Sequence, residues 1–454
     1  MTATEMTGRE RLIVWLTLAV VFIQGLIGIA KFGYCGQDFD YHYNLLVGFP
    51  QTYSYKYTNP PALYLIGQML GAFFSSVWML EITALAMLIA NTLSLRVWYA
   101  IIRRIIANPD LRYAALLLSA FVPFRVVHSV VFAADALTIP IFVGVAWSAI
   151  RLFEAPAHPL RTWLTIAAWL TAGVVSKYTF VGLIPALVVV AFHQAVVQGS
   201  ARARLVVAAT AVVCLLIPLR AFLAQMDLST KAQGTTMVGQ WVGPGEDAEM
   251  RRRDLVVPKR RDLELFTAPE YFRHRLYEPR TYSYPALLHL ATFTDVLDFF
   301  QQKVDIARHF VTHQQQDPDL VRARSVTQRS RVAVVMSLPF SVLALIGTVL
   351  IGVGSALRLV LNRGPISTTL AIVTMLALGF YGTVIANITR VVGAYTAGYW
   401  LPRLVMPAVL TFLILGLVLV DRWLERSRFG RSPRLARAAL AYVAAMCLLY
   451  LSIT

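Results

Sequence analysis

Two carboxylates and a histidine stand close together after the first apolar run of the sequence. Asp38 and Asp40 are separated by one residue, and His42 follows two positions later. One such carboxylate can act as a general base toward a hydroxyl group, and two together can hold a divalent cation. Because Asp-x-Asp pairs are common by chance, the residues alone leave both chemistries open.

Further ionisable and aromatic residues recur at the ends of later apolar runs. They are Arg125, His128, Asp135, Lys177, Tyr178, Tyr399 and Arg403. Arginine can bind two phosphate oxygens at once, and lysine presents a compact positive charge. Charges near a membrane core are costly and indicate function by default, although each single side chain could equally extend to the lipid headgroups.

The elements that must position these residues are predicted to be membrane helices. The chain has 454 residues, of which 57% are hydrophobic and 14% are charged. Several apolar runs approach the ~20 residues that cross a bilayer as a helix. We therefore expect an all-α polytopic membrane protein with about 11 transmembrane helices. A re-entrant or interfacial helix is expected at Pro60–Phe74, in the first outer loop.

The distribution of basic residues predicts the orientation of the chain. With a cytoplasmic N-terminus, the short inner loops hold eighteen basic residues and the short outer loops hold six. This satisfies the positive-inside rule and places the candidate residues on the extracytoplasmic side. The net charge of +17 lies at the ends of apolar runs and not on a basic face, which argues against nucleic-acid binding.

Three regions follow from this threading. Residues 1–223 form an N-terminal transmembrane half whose first outer loop, residues 33–59, is the expected catalytic loop. Residues 224–331 form a long extracytoplasmic loop or small domain of undetermined role. Residues 332–454 form the C-terminal transmembrane helices.

The order of these motifs resembles a known superfamily. An acidic loop after the first helix is followed by Tyr57-Thr-Asn-Pro-Pro-Ala-Leu-Tyr64, the polar hairpin Ser176-Lys-Tyr178 and the late stretch Tyr399-Trp-Leu-Pro-Arg403. This order is similar to that of the GT-C glycosyltransferases that use polyprenyl-phosphate sugars. They include dolichyl-phosphate-mannose mannosyltransferases, aminoarabinose transferases and bacterial polyprenyl-phosphate-mannose mannosyltransferases. The resemblance covers roughly residues 10–200 and 330–420.

The resemblance implies roles for individual residues. The catalytic base is expected to be Asp38 or Asp40. Asp38 is followed by Phe39, where the protein mannosyltransferases carry Asp-Glu, and in this the sequence looks more like the bacterial lipid-mannosyltransferases. The expected substrate-binding residues are His42, Tyr57, Pro61, Tyr64, Arg125, His128, Lys177, Tyr178, Tyr399 and Arg403.

The function expected from the resemblance is inverting transfer of a sugar to an acceptor hydroxyl on the extracytoplasmic face. The donor is a polyprenyl-phosphate sugar, and the acceptor is a glycan, a lipid or a protein. The protein itself is expected in a plasma membrane, with the bacterial cytoplasmic membrane favoured. No cofactor is expected, because phosphate leaves readily, and a divalent cation at Asp38 and Asp40 is not favoured. The alternative is a transporter or flippase of a lipid-linked or anionic solute, in which charges lie near the bilayer midplane on broken helices.

Overall fold

The computed structural model describes residues 6–32, 45–51, 60–130, 134–154, 159–197, 200–233, 284–293, 329–361, 367–390, 405–426 and 433–453. All regular elements in these ranges are helices, which confirms the predicted all-α class for the described part of the chain.

The described helices are numbered in their order along the chain. The first eight are α1 (Gly8–Phe32), α2 (Ala62–Phe73), α3 (Met79–Ile105), α4 (Pro109–Phe121), α5 (Pro123–Val130), α6 (Thr138–Glu154), α7 (Pro159–Ser176) and α8 (Leu183–Val197). The others are α9 (Ala201–Gln233), α10 (Tyr284–Phe293), α11 (Leu338–Gly347), α12 (Gly354–Leu361), α13 (Thr368–Arg390), α14 (Met406–Arg426) and α15 (Pro433–Leu451). Two 3-10 helices, Ala134–Leu137 and Tyr178–Gly182, precede α6 and α8, and a π-helical turn, Thr348–Val353, joins α11 to α12.

Nine helices in the described ranges are long and apolar enough to cross a membrane, and a tenth arises if the bent pair α4 and α5 counts as one span. The predicted number of eleven is therefore not confirmed. Helix α7 has 18 residues and occupies the place of a predicted span, but it is not among the nine. Helix α2 occurs where a short helix was predicted, and its 12 residues are too few to cross a bilayer.

A proline causes the bend between α4 and α5. Val122 precedes Pro123 and is extended, with φ −58° and ψ 129°, because a helical conformation before proline is sterically disfavoured. Pro123 also lacks the N–H that would continue the helical hydrogen bonds. The two helix axes consequently differ by 52°.

Ion pairs and backbone hydrogen bonds connect helix ends in what we call the arginine-rich end, formed by Glu10, Arg103, Arg104, Arg112, Glu154 and Asp421. Oε1 of Glu10 lies 3.6 Å from Nε of Arg103 and 3.5 Å from Nη1 of Arg112. Arg104 forms a two-pronged ion pair with Glu154, at 2.5 and 3.0 Å. Asp421 accepts hydrogen bonds from the backbone N–H groups of Ala107 and Asn108, so that α14 holds the turn between α3 and α4.

Candidate functional site

A buried asparagine in α3 joins three elements. The Asn91 amide donates hydrogen bonds to the carbonyls of Met87, at 3.0 Å, and Ala136, at 2.7 Å. The backbone carbonyl of Asn91 accepts a hydrogen bond from Nη2 of Arg125 at 3.0 Å. Asn91 therefore fixes both α5 and the 3-10 helix Ala134–Leu137 against the middle of α3. We call Asn91, Arg125, Asp135 and Lys177 the polar cluster.

Arg125 is fully buried at the proline bend. Its Nη1 donates to the carbonyl of Ala120 at 3.3 Å, one of the last carbonyls of α4 and therefore without a helical partner. A cation at this position also complements the partial negative charge at the C-terminus of α4. The arginine thus supplies a donor to a carbonyl at the C-terminal end of α4, beside the bend.

The positive charge of Arg125 has no acidic partner among the residues that the structure describes, and its Nε has no hydrogen-bond partner there. Burial of a guanidinium against carbonyls alone leaves much of its desolvation cost uncompensated. With five N–H donors in a planar fork, arginine is suited to binding carboxylate or phosphate. Arg125 therefore has the donors to bind a carboxylate or a phosphate.

The predicted residue Lys177 forms an ion pair with Asp135. The Lys177 Nζ is hydrogen bonded to Oδ1 of Asp135, and each side chain is 13% exposed. Asp135 lies at the start of the 3-10 helix before α6, and Lys177 is the extended residue between α7 and the second 3-10 helix. Two separate turns of the chain thereby bring opposite charges together. The turn that carries Asp135 is also bound to α3, because the Ala136 carbonyl accepts a hydrogen bond from the Asn91 side chain.

Helix α13 holds the turn that carries Lys177. Phe180 is buried between Gly173 of α7 and the ring of Phe380, whose centroid is 5.2 Å away with the rings edge to face. Gly182 and Gly379 let the two backbones approach so closely that a Cβ on Gly379 would lie 2.4 Å from the Gly182 carbonyl oxygen. Side-chain-free positions therefore set the place of the Lys177 turn.

The other predicted residues in the described ranges lie apart from one another. His128 is buried in α5, one turn after Arg125, and Pro61 is half-buried directly before α2. The ring of Tyr178 packs edge to face on Phe222 of α9, at 6.1 Å. Tyr64 is buried in a small apolar cluster that also contains Ala136, so it packs α2 against the turn that carries Asp135. The substrate-binding roles of these residues stay predictions.

Six predicted residues lie outside the described ranges. They are Asp38, Asp40, His42, Tyr57, Tyr399 and Arg403. Their convergence with the polar cluster therefore stays a prediction. Within the described ranges no group of three or more His, Cys, Asp or Glu residues could hold a metal ion, and this statement does not extend to Asp38 and Asp40.

Sequence reasoning missed Asn91 and did not place Asp135 among the site residues. A single asparagine inside an otherwise apolar run was the available signal for Asn91, because a polar side chain there needs hydrogen-bond partners. Asp135 was visible as an acid between two apolar runs, but the sequence did not indicate that its partner is Lys177.

A family model described as dolichyl-phosphate-mannose-protein mannosyltransferase matches residues 59–221. This stretch is just over a third of the chain, and it includes the whole polar cluster but neither Asp38 and Asp40 nor Tyr399 and Arg403. The match confirms the predicted resemblance to GT-C glycosyltransferases over this stretch.

Two solved structures are similar in outline. A chain of the S. cerevisiae protein O-mannosyltransferase Pmt1-Pmt2 complex, bound to the sugar donor, matches at 14% identity with a TM-score of 0.42, covering 55% of this chain and 37% of that one. The archaeal oligosaccharyltransferase AglB from Archaeoglobus fulgidus, in complex with an inhibitory peptide and a dolichol-phosphate, matches at 15% identity with a TM-score of 0.46. That match covers 96% of this chain and 56% of the other. No curated protein sequence matches significantly.

Proposed function

We propose that the protein is an integral membrane glycosyltransferase that moves a sugar from a polyprenyl-phosphate donor to an acceptor hydroxyl. The observation that carries this proposal is the family match over residues 59–221, which encloses a buried arginine and a lysine–aspartate pair. The description of the matched family supports polyprenyl-phosphate mannose as the first donor to test. The acceptor is a glycan, a lipid or a protein, and the reaction takes place on the extracytoplasmic face.

The leaving group explains why cations are required. Cleavage of the bond between the anomeric carbon and the phosphate oxygen leaves a lipid phosphate monoester, whose negative charge increases in the transition state. In our proposal Arg125 attracts this phosphate, because its charge is not neutralised by any described acid. Lys177 is already paired with Asp135, so the pair adds a directed N–H donor more than net positive charge. Arg403 is a third candidate.

The acceptor side of the reaction requires a base. The acceptor oxygen forms the new bond to the anomeric carbon from the face opposite the phosphate, which inverts the configuration of the sugar. The acceptor proton passes to a carboxylate of the first loop, Asp38 or Asp40. One bond forms, one bond breaks and one proton moves, so no metal or cofactor is needed for the balance.

The test is a transfer assay with the purified protein in lipid nanodiscs, polyprenyl-phosphate mannose and an extract of envelope acceptors. We expect mannose transfer by the wild-type chain. Asp38→Asn or Asp40→Asn should lower the rate at least about a hundredfold, as expected for loss of a general base. Full activity of both variants and of Arg403→Ala would overturn the site assignment. Labelling of Asp40→Cys from the cytoplasmic side alone would overturn the proposed orientation.

A double-mutant cycle separates a binding role of Lys177 from a structural one. Lys177→Met removes the positive charge beside Asp135, a mostly buried acid, whereas the combination of Lys177→Met and Asp135→Asn removes both charges. If Lys177 binds the donor phosphate, the double variant should be as inactive as Lys177→Met. If the pair only stabilises the fold, the double variant should recover much of the activity.

One observation favours the alternative function, transport of a lipid-linked or anionic solute. Arg125 follows α4, whose 13 residues make it about 20 Å long. Arg125 therefore lies about 20 Å from the start of α4, a distance shorter than the thickness of a bilayer core. A buried charge beside a helix break is a feature of transporter sites. Flux of the intact lipid-linked sugar across proteoliposomes, without transfer to any acceptor, would support this function and contradict the enzyme.

A further inference from the structure

A short helix from the long segment 224–331 packs among the C-terminal helices. Helix α10 (Tyr284–Phe293) buries His289, Leu290, Thr292 and Phe293, which recur at helical spacing and so lie on one face. It is not one of the candidate membrane spans. The sequence predicted neither its position nor its partners.

The buried face of α10 is attached to two C-terminal helices. The Phe293 ring lies 6.0 Å from the ring of Tyr450 in α15 and 6.1 Å from that of Phe340 in α11. His289 uses both ring nitrogens, with Nδ1 2.7 Å from the Ser341 hydroxyl and Nε2 3.0 Å from the Val334 carbonyl oxygen. One histidine therefore makes two directed contacts to the span Arg329–Leu361.

His289 contacts the span Arg329–Leu361 at a point where the helical backbone hydrogen bonds of the span are irregular. Pro339 lacks an N–H group, and nearby the Ser337 N–H is shared between the carbonyls of Ala333, at 2.9 Å, and Val334, at 3.2 Å. The Val334 carbonyl can therefore accept a second donor, the Nε2–H of His289. Burial lowers the pKa of His289 to about 4, so the ring is neutral at ordinary pH. Because Nε2–H donates to Val334, Nδ1 accepts a hydrogen bond from the Ser341 hydroxyl.

Helix α10 also packs against α5, the helix that carries Arg125 and His128. Helix α5 has only eight residues and follows the proline bend, so it cannot keep its position through its own hydrogen bonds alone. Asn91 fixes it on one side through Arg125. Helix α10 supplies a contact from the C-terminal part of the chain.

We propose that α10 is a positioning element of the candidate site and that His289 is its positioning residue, which holds α5 and Arg125 in place for an anionic ligand. The ligand class rests on the proposed function. The placement of α5 by α10 does not, because it follows from the packing and hydrogen bonds alone. This inference assigns a role to part of the long segment: it completes the site from the C-terminal side.

The test compares His289→Ala with Tyr442→Phe in the full-length protein in nanodiscs. Tyr442 donates a hydrogen bond to the Met336 carbonyl and packs on Phe340, so Tyr442→Phe removes one hydrogen bond from the same surroundings without touching α10. Hydrogen–deuterium exchange of the peptide covering residues 124–130 should become about tenfold faster in His289→Ala and should not change in Tyr442→Phe. Equal exchange in both variants and the wild type would overturn the proposal.

Kinetics give a second readout that a merely structural role would not move. We expect His289→Ala to raise the KM for polyprenyl-phosphate mannose about tenfold while kcat stays within about twofold. His289→Gln, whose amide can donate to Val334 and accept from Ser341, should restore most of the affinity. If His289→Ala does not fold, Ser341→Ala removes one of the two contacts of His289. We then expect the same changes in hydrogen–deuterium exchange and in KM, but smaller ones. An inactive wild-type protein would contradict the proposed function, and the exchange experiment would still decide the role of α10.

Discussion

The arginine-rich end and the polar cluster use charge in different ways. At the arginine-rich end, Glu10 and Glu154 face arginines and Asp421 faces backbone N–H groups, so opposite partial or full charges meet across helix ends. In the polar cluster, Arg125 is more deeply buried than any of these arginines and meets only backbone carbonyls within the described ranges.

The difference separates two reasons for keeping charge in a membrane protein. Charges that pair with one another at helix ends connect helices and, through the arginine excess, set the orientation of the chain. A buried charge that is left without an opposite charge costs free energy unless a ligand supplies one. From this comparison we infer that the arginine-rich end stabilises the protein, and our proposal assigns substrate binding to the polar cluster.

Among the residues of the two regions compared, the largest expected effect is that of Arg125→Gln on activity. Since our proposal gives Arg125 the role of binding the donor phosphate, loss of its charge should lower kcat/KM for the donor about a hundredfold. Arg125→Lys keeps the charge but loses the planar fork, and should be intermediate, with a loss of about tenfold. Steady-state kinetics with polyprenyl-phosphate mannose give both values.

The matched control for Arg125 is Arg104→Gln. Arg104 is also a helix-end arginine, but it is partly exposed and pairs with Glu154 while stacking on Trp147. Its loss should change kcat/KM less than about twofold, because partly exposed ion pairs contribute little. If Arg125→Gln is as active as Arg104→Gln, the two regions do not differ in function.

A smaller effect is expected from the glycine contact that holds the Lys177 turn. Gly379→Ala places a Cβ against the Gly182 carbonyl, so the turn or α13 must shift, at a cost of about 1 to 3 kcal/mol of stability. We also expect a higher KM for the donor, since Lys177 moves with the turn. Gly382→Ala is the control on the same helix, because nothing lies within 4 Å of its Cβ position. Equal melting temperatures and KM values for the two variants would contradict the assigned role of the contact.

The sequence predicted the class of fold well because apolar runs and arginine positions are local signals. The predicted count of spans is not confirmed where those signals are weak. In the described part of the chain, α7 carries Arg161 and several threonines and tryptophans, and Pro123 divides a span into two short helices. The proline itself was visible, but the 52° bend depends on how α5 packs after it.

The candidate site was predicted as residue types and not as partners. Arg125 and Lys177 stood out because ionisable residues are rare in such a sequence. Their different surroundings could not be read in this way, since the partner of Lys177 is 42 positions away and Arg125 is held by the carbonyl of Asn91, 34 positions away. The contact of α10 with α5 spans a still longer separation and has no local sequence signal.

The smallest expected effect on activity belongs to a residue of the arginine-rich end, Asp421, and tests the comparison from its other side. The N–H groups of Ala107 and Asn108 donate to different oxygens of Asp421. Asp421→Asn therefore keeps an acceptor for only one of them, places an amide NH2 against the other and removes the negative charge. Because one hydrogen bond is lost and the other no longer has a charged acceptor, we expect a loss of about 2 kcal/mol in stability. The KM for the donor and kcat should stay at wild-type values, because Asp421 only joins α14 to the turn between α3 and α4. Thermal unfolding and kinetics measured on the same preparation give both quantities. A fall in activity comparable with that of Arg125→Gln would mean that the arginine-rich end also serves catalysis, and that burial without an opposite charge does not distinguish the binding region.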